Sequence, residues 1–221
     1  MNNESPRKSL LVVLSVALFC SVLVSVATVV LEPLQQRNAL VERSRNIVAL
    51  SGLVPPGASL SADEVLDAAA QLDARLVDLE SGRFVDNVDV DAFDSRAALA
   101  DPDTSVDVPP ELDLARLGRR ARLERIYLVW GDDGLQRVIL PIRGEGMWST
   151  LYGFVALEDD LNTIGAATFY EQAETAGLGD QITSPAWLAL WPGRALFGND
   201  GAFRFRIAEG PVEPDSPAAR H

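Results

Sequence analysis

The longest apolar stretch runs from Leu10 to Leu31, LLVVLSVALFCSVLVSVATVVL, 22 residues without a charge. At about 1.5 Å per residue, a helix of that length reaches roughly 33 Å, the thickness of a bilayer's hydrocarbon core. A cleaved signal peptide has a shorter apolar region, of about 7–15 residues, followed by small residues. A lipoprotein site would need a small residue where Phe19 precedes Cys20. The run therefore predicts a retained transmembrane helix at residues 10–31, behind a short amino-terminal segment of residues 1–9. Beyond Pro33, apolar residues at Leu40, Ile47 and Leu50 keep a helical spacing as far as Gly52, which predicts a connecting helix over residues 32–52.

Pro55, Pro56 and Gly57 break the chain. Ser61 and Glu64 then have the spacing of a capping box, predicting a helix through Val65, Leu66, Ala69, Leu72 and Leu76. Apolar and polar residues alternate from Leu76 to Val90 around Ser81-Gly82, a hairpin pattern. From Arg125 onward strands dominate. IYLVW (126–130) and LQRVILPI (135–142) flank a Gly131-Asp132-Asp133-Gly134 turn. LYGFVAL (151–157), IGAATFY (164–170) and FRFRI (203–207) read as further strands. Ser184-Pro185 supplies the cap and first-turn proline of a short helix carrying Trp187, Leu188 and Trp191, ended by Pro192-Gly193. Asn199-Asp200-Gly201 turns into the final strand. No internal repeat is present, and the proline-rich tail of residues 208–221 predicts no structure. The fold class expected is α+β, one transmembrane helix followed by a mainly antiparallel sheet flanked by helices.

Charge and chemistry narrow the possibilities. The formal net charge is −13, and residues 1–31 contribute only Glu4, Arg7 and Lys8, one net positive charge, so the remainder carries −14. Such a body repels phosphate backbones, which excludes nucleic acid as a partner. Residues 59–115 hold 15 acidic residues against Arg75, Arg83 and Arg96. These acids are scattered, without the spacing or the turn glycine of a calcium loop, and read as a solvated surface. The single cysteine, Cys20, lies in the apolar run, which excludes disulfides and thiolate metal sites within one chain. The single histidine is the terminal His221, so a serine–histidine or cysteine–histidine catalytic pair is not expected. Arginines flank both ends of the apolar run, and the positive-inside rule does not orient it.

Two blocks carry a more specific signal. Pro141, Ile142, Gly144, Gly146, Met147, Trp148, Ser149, Thr150, Tyr152 and Gly153 form the first; Gln172, Ala173, Glu174, Thr175, Ala176, Gly177, Leu178 and Gly179 form the second. Together with Trp187, Trp191-Pro192-Gly193 and the helix ending at Gly52, they resemble the C subunits of the sodium-translocating NADH:quinone oxidoreductases. The likeness extends from the apolar run to about Ile207. Met147 stands where that family has leucine, and a histidine and a proline of its second block are replaced here.

The resemblance implies an FMN-binding-type domain over residues 53–207, facing the periplasm, with the amino terminus cytoplasmic and the anchor in the cell inner membrane. It implies FMN as cofactor and the other subunits of a six-subunit complex as partners, besides the lipid bilayer. That complex passes electrons from NADH to ubiquinone and exports sodium. Acid–base side chains are not required for a flavin relay. The residues expected to line the flavin are Trp148, Ser149, Thr150, Glu174, Thr175, Gly177 and Leu178. An isoalloxazine ring needs apolar faces with a few aimed donors. Glycines such as Gly144 and Gly146 allow close backbone approach.

Family members esterify the FMN phosphate to the threonine of a Ser/Thr-Gly-Ala-Thr signature. Residues 1–221 lack it. The nearest lookalike, Ile164-Gly165-Ala166-Ala167-Thr168, has an extra alanine and falls in a predicted strand. The expectation is therefore an incomplete flavin domain that is inactive alone. Two alternatives are the G subunit of the related ferredoxin:NAD oxidoreductases and a flavin-free, membrane-anchored interaction protein.

Overall fold

The computed structural model describes residues 6–55, 57–208, 210, 212, 220 and 221. The apolar run lies within one helix, α1 (Pro6–Ser51). Among the described residues it is the one helix long and apolar enough to cross a membrane, with a mean hydropathy of 2.8 over its most apolar window. Its apolar side chains from Leu10 to Leu31 are exposed, as expected of a surface whose solvent is lipid. Pro33 sits inside the helix and, having no N–H, leaves the Val29 carbonyl without its usual donor. Residues 1–5 of the expected amino-terminal segment lie outside the described residues. The chain divides into two units, Met1–Glu42 and Arg43–His221.

The end of α1 belongs to the second unit. Ile47, Val48 and Leu50 are buried there, and Gly52, at φ +75°, ends the helix. Next comes α2 (Ala62–Ala69), started by the expected capping box. The Ser61 hydroxyl accepts from the Glu64 amide at 3.3 Å, and the Glu64 carboxylate accepts from the Ser61 amide at 2.8 Å.

The centre of the unit is a six-stranded antiparallel sheet. Its strands are β1 (Asp73–Asp78), β2 (Arg83–Val85), β5 (Leu123–Gly131), β6 (Gly134–Glu145), β7 (Thr150–Glu158) and β8 (Ile164–Glu171), in the order β2-β1-β5-β6-β7-β8. A separate pair, β3 (Ser105–Asp107) with β4 (Arg119–Ala121), and the short helix α3 (Ser95–Ala100) come from the acidic segment. The β5–β6 hairpin turns through Asp132-Asp133, with Gly134 at φ +129°. Pro141 falls just past Ile139, where the β5–β6 ladder stops, so its missing N–H costs that ladder nothing.

Successive residues of a strand point to opposite faces, and here both faces are covered. Phe154 and Ala156 pack with Ile47, Leu50, Leu72, Tyr127, Val129 and Ile139. Their neighbours Val155 and Leu157 pack instead with Ile164, Ala167 and Trp191. That is why Phe154–Leu157 reads as an unbroken apolar run rather than an alternation. Helix α4 (Pro185–Leu188), capped by Ser184, lays Trp187 on the second face beside Trp191 of the turn that follows it, their rings 5.3 Å apart and edge to face.

Three expectations are corrected. The helix begun at Ser61 stops at Ala69 instead of reaching Leu76. Leu76 is wholly buried in β1, where pairing of residues 73–78 with β5 overrides the helical spacing. FRFRI is not a strand. Phe203 makes one bridge to Phe197, the amides of Arg204 and Phe205 both donate to the Leu196 carbonyl, and Phe205 stacks on Trp191 at 5.1 Å. The outer side of β8 is met at Ile164 by Gly193 and Arg194 instead. The last helix ends at Leu188, well before Pro192-Gly193.

Of the tail, residues 209, 211 and 213–219 lie outside the described residues. Arg220 and His221 dock on Ala195, whose amide donates to the Arg220 carbonyl at 2.7 Å.

Candidate functional site

The two sequence blocks meet at one end of the β7–β8 pair. The first supplies the turn from β6 into β7, closed by the Gly146 amide donating to the Ser149 carbonyl at 2.8 Å. The second follows β8 as a loop over residues 172–178, leading into a short 3-10 turn at Gly179–Thr183. Tyr152 pairs with Glu171, so the antiparallel register brings the loops together.

They are laced by side chains. The Glu174 carboxylate accepts from the Met147 amide at 3.2 Å and the Trp148 amide at 3.1 Å. Trp148 Nε1 donates to the Thr175 hydroxyl at 3.0 Å. The Ala173 amide donates to the Ser149 hydroxyl at 2.9 Å. Within the second loop the Glu174 amide is taken by the Gln172 side-chain oxygen at 2.6 Å, and the Gly177 amide by Asp180 at 2.8 Å. Gly177 holds φ +77°, which glycine adopts without strain.

The seven expected site residues thus gather in one place, in different roles. Ser149, Glu174 and Thr175 hold the loops to each other, Gly177 makes a turn, and Thr150 starts β7 opposite Glu145. Trp148 and Leu178 are what the loops display, 68% and 73% exposed, with Met147 beside Trp148 at 80%. Among the described residues lie a cavity of about 440 Å³ beside Arg137 and one of about 720 Å³ beside Trp187 and Phe205, and none of the seven residues lines either. What the loops offer is an exposed apolar platform, with Ser149, Glu174 and Thr175 bonded between them.

The sequence reading gave Gly144 and Gly146 one role, and the structure separates them. A Cβ on Gly146 would lie 2.3 Å from Glu174 Oε1, whereas one on Gly144 would meet only Ala115 at 3.7 Å. Gly179, read only as a member of the second block, is held in the same way, since a Cβ there would lie 2.7 Å from that of Glu174. No local spacing signals these contacts, because Gly146 and Glu174 are 28 positions apart.

A second cluster adjoins the loops and was likewise unmarked in the sequence. Arg96 of α3 bonds Glu171 at 2.5 Å and lies over the Tyr152 ring at 4.2 Å. The Glu171 bond holds the Arg96 guanidinium above its ordinary range. Tyr170, stacked on Phe154 at 5.0 Å, is pushed above the usual phenol range by burial, against the nearby positive charges of Arg43 and Arg96. Thr168 is a β8 residue whose hydroxyl lies 3.3 Å from Asn46 Oδ1 of α1. Among the described residues no group of three His, Cys, Asp or Glu side chains is placed to hold a metal ion.

No general family model matches the chain. Individual proteins do. The C subunit of the Na(+)-translocating NADH-quinone reductase of Pseudomonas aeruginosa is 43% identical over 220 residues, covering 100% of this chain and 84% of that protein. Its Yersinia pestis counterpart is 42% identical, over 99% and 82% respectively. A crystal structure of Shewanella oneidensis NqrC matches with a TM-score of 0.70 at 34% identity, over 84% of this chain and 86% of that one. Identity at this level along the whole sequence, and a shared fold over most of it, establish that the chain belongs to the C-subunit family of Na(+)-translocating NADH-quinone reductases.

Proposed function

We propose that this chain serves as the C subunit of a sodium-pumping NADH:quinone reductase, an oxidoreductase of the cell inner membrane. It would be tethered by α1, with its globular part in the periplasm. It would work among the complex's six subunits, carrying electrons through FMN on the route from NADH to ubiquinone. The observation that carries the reading is 43% identity to a named C subunit across the entire chain. The uncharged, lipid-compatible stretch of α1 from Leu10 to Leu31 supports the anchor.

The platform residues fit the flavin. An isoalloxazine ring presents two flat apolar faces, and Trp148, Leu178 and Met147 offer exposed apolar surface on loops already ordered by their own hydrogen bonds. Bound there, FMN would supply the ability to take up and pass on single electrons. Trp148 and Leu178 would hold and orient the ring and exclude water from the faces they cover. Ser149, Glu174 and Thr175 would keep the two loops in register, and Thr150 and Gly177 would shape the rim. No residue of this chain is proposed as a covalent attachment point, since Thr168 is built into β8.

The reading is tested by expressing the tagged full chain in a host whose own C subunit is deleted. Purification from solubilised membranes is expected to recover the remaining reductase subunits. A chain that inserts and folds yet brings down none of them overturns the proposal.

A further inference from the structure

We propose that Glu174 is a positioning residue rather than a flavin ligand, and that its task is to fix the orientation of Trp148. This rests on the flavin reading above in naming the ring that Trp148 would face and the ligand whose affinity is measured.

Glu174 directs both carboxylate oxygens at consecutive main-chain amides of the opposite loop, Oε2 at Met147 and Oε1 at Trp148. Bonds from an N–H to an ionised acceptor are the strong kind, and two from one carboxylate also fix direction. The side chain reaches that position because both glycines beside it lack a Cβ. At Gly146 a Cβ would stand 2.3 Å from Oε1 and 2.8 Å from the Ser149 carbonyl; at Gly179 it would stand 2.7 Å from the Glu174 Cβ. Gly146, Glu174 and Gly179 are thus one unit, with room for the carboxylate and for nothing larger.

The consequence falls on Trp148. An indole 68% exposed has few packing neighbours to choose its rotamer. Here Glu174 holds its main-chain amide, and the adjacent Thr175 accepts from its Nε1 at 3.0 Å. Two successive residues of one loop therefore fix backbone and ring of a single exposed aromatic. A ring already held in place loses less freedom when a flat partner stacks on it, which is the advantage of preorganisation. The carboxylate would act through the indole, without touching the flavin.

The test uses the full chain in detergent micelles, labelled with nitrogen-15, with free FMN as the probe. Glu174→Ala is expected to displace the Met147 and Trp148 amide signals and the Trp148 indole signal, and to weaken FMN binding by about tenfold, the effect of losing roughly one good hydrogen bond. Gly146→Ala, which leaves the carboxylate in the sequence but takes its space, should reproduce both changes. Glu174→Gln should keep part of the binding, because its side-chain oxygen can still accept from one of the two amides. Thr175→Val should move the indole signal alone.

If Glu174→Ala leaves the Trp148 amide and indole signals in place, the positioning role is wrong, whatever FMN does. If those signals move while FMN binds as tightly as before, Glu174 does not prepare the ring for flavin and the inference fails. If the unaltered chain ignores FMN, the flavin reading fails, and the signals alone still decide whether Glu174 sets the indole.

Discussion

Arg137 Nη1 donates to the main-chain carbonyl of Leu50 at 3.1 Å, so a side chain from β6 closes the last turn of α1. The same guanidinium grips Glu158 of β7 with two bonds, of 2.8 and 3.1 Å. A helix end leaves four carbonyls without intrahelical donors, and here one of them is satisfied by a cation already oriented by a carboxylate.

Replacing Arg137 with alanine would strand that carbonyl and leave a part-buried Glu158 unpaired. We expect a loss of about 2 kcal/mol, read as a fall of roughly 4–8 °C in the melting temperature of the globular part. Arg137→Lys keeps the charge without the fork and should fall between the two. An unchanged melt for the alanine variant would show that water replaces all three bonds.

Gly153 leaves no room for a side chain between β7 and β8. A Cβ there would lie 2.3 Å from the Thr168 carbonyl oxygen, which is main chain and cannot rotate aside. Gly153→Ala should therefore force the strands apart at the shift in their register, costing about 1–3 kcal/mol. Thermal melting measures it. Gly177→Ala offers a contrast, because its penalty comes from φ +77° with no neighbour within 4 Å.

Acid should weaken the turn at residues 160–163. The Thr163 hydroxyl, then the Thr163 and Asn162 amides, hold the Asp160 carboxyl below the ordinary carboxylate range. A lowered native value means that the unfolded chain takes up the proton first. The contribution is thus complete above the unfolded value of about 4 and is lost as pH falls through the native one. Urea midpoints of the native protein and Asp160→Asn should differ at pH 7, and converge at the most acidic pH where the fold survives. A gap that stays constant with pH would count against this account.

What could be read in the sequence follows from the range of the forces involved. The Ser61–Glu64 box, the Ser184 cap and the Gly131–Gly134 hairpin are settled within a few residues, and their chemistry is written in adjacent letters. The apolar run at Phe154–Leu157 announced a strand because both of its faces are covered. Leu76 misled, since it matches the α2 spacing, whereas pairing with Val85 of β2 and the distant Arg125 of β5 makes it a strand residue. FRFRI misled in the opposite way, as alternation makes a strand only where a free edge receives it. The site residues were legible as a group through the family resemblance. The division between display by Trp148 and Leu178 and support by Ser149, Glu174 and Thr175 needed contacts across 24 to 27 positions.

Ile47, Val48 and Leu50 are as much a part of the interior as Phe154 is, and Asn46 reaches Thr168 in β8. Trimming the protein to make it water-soluble is therefore a matter of a few letters. A version starting at Leu53 would lose a wall of its hydrophobic centre along with the greasy tether. One beginning at or before Arg43 would keep that wall, and with it the surface on which Phe154 and Tyr170 rest.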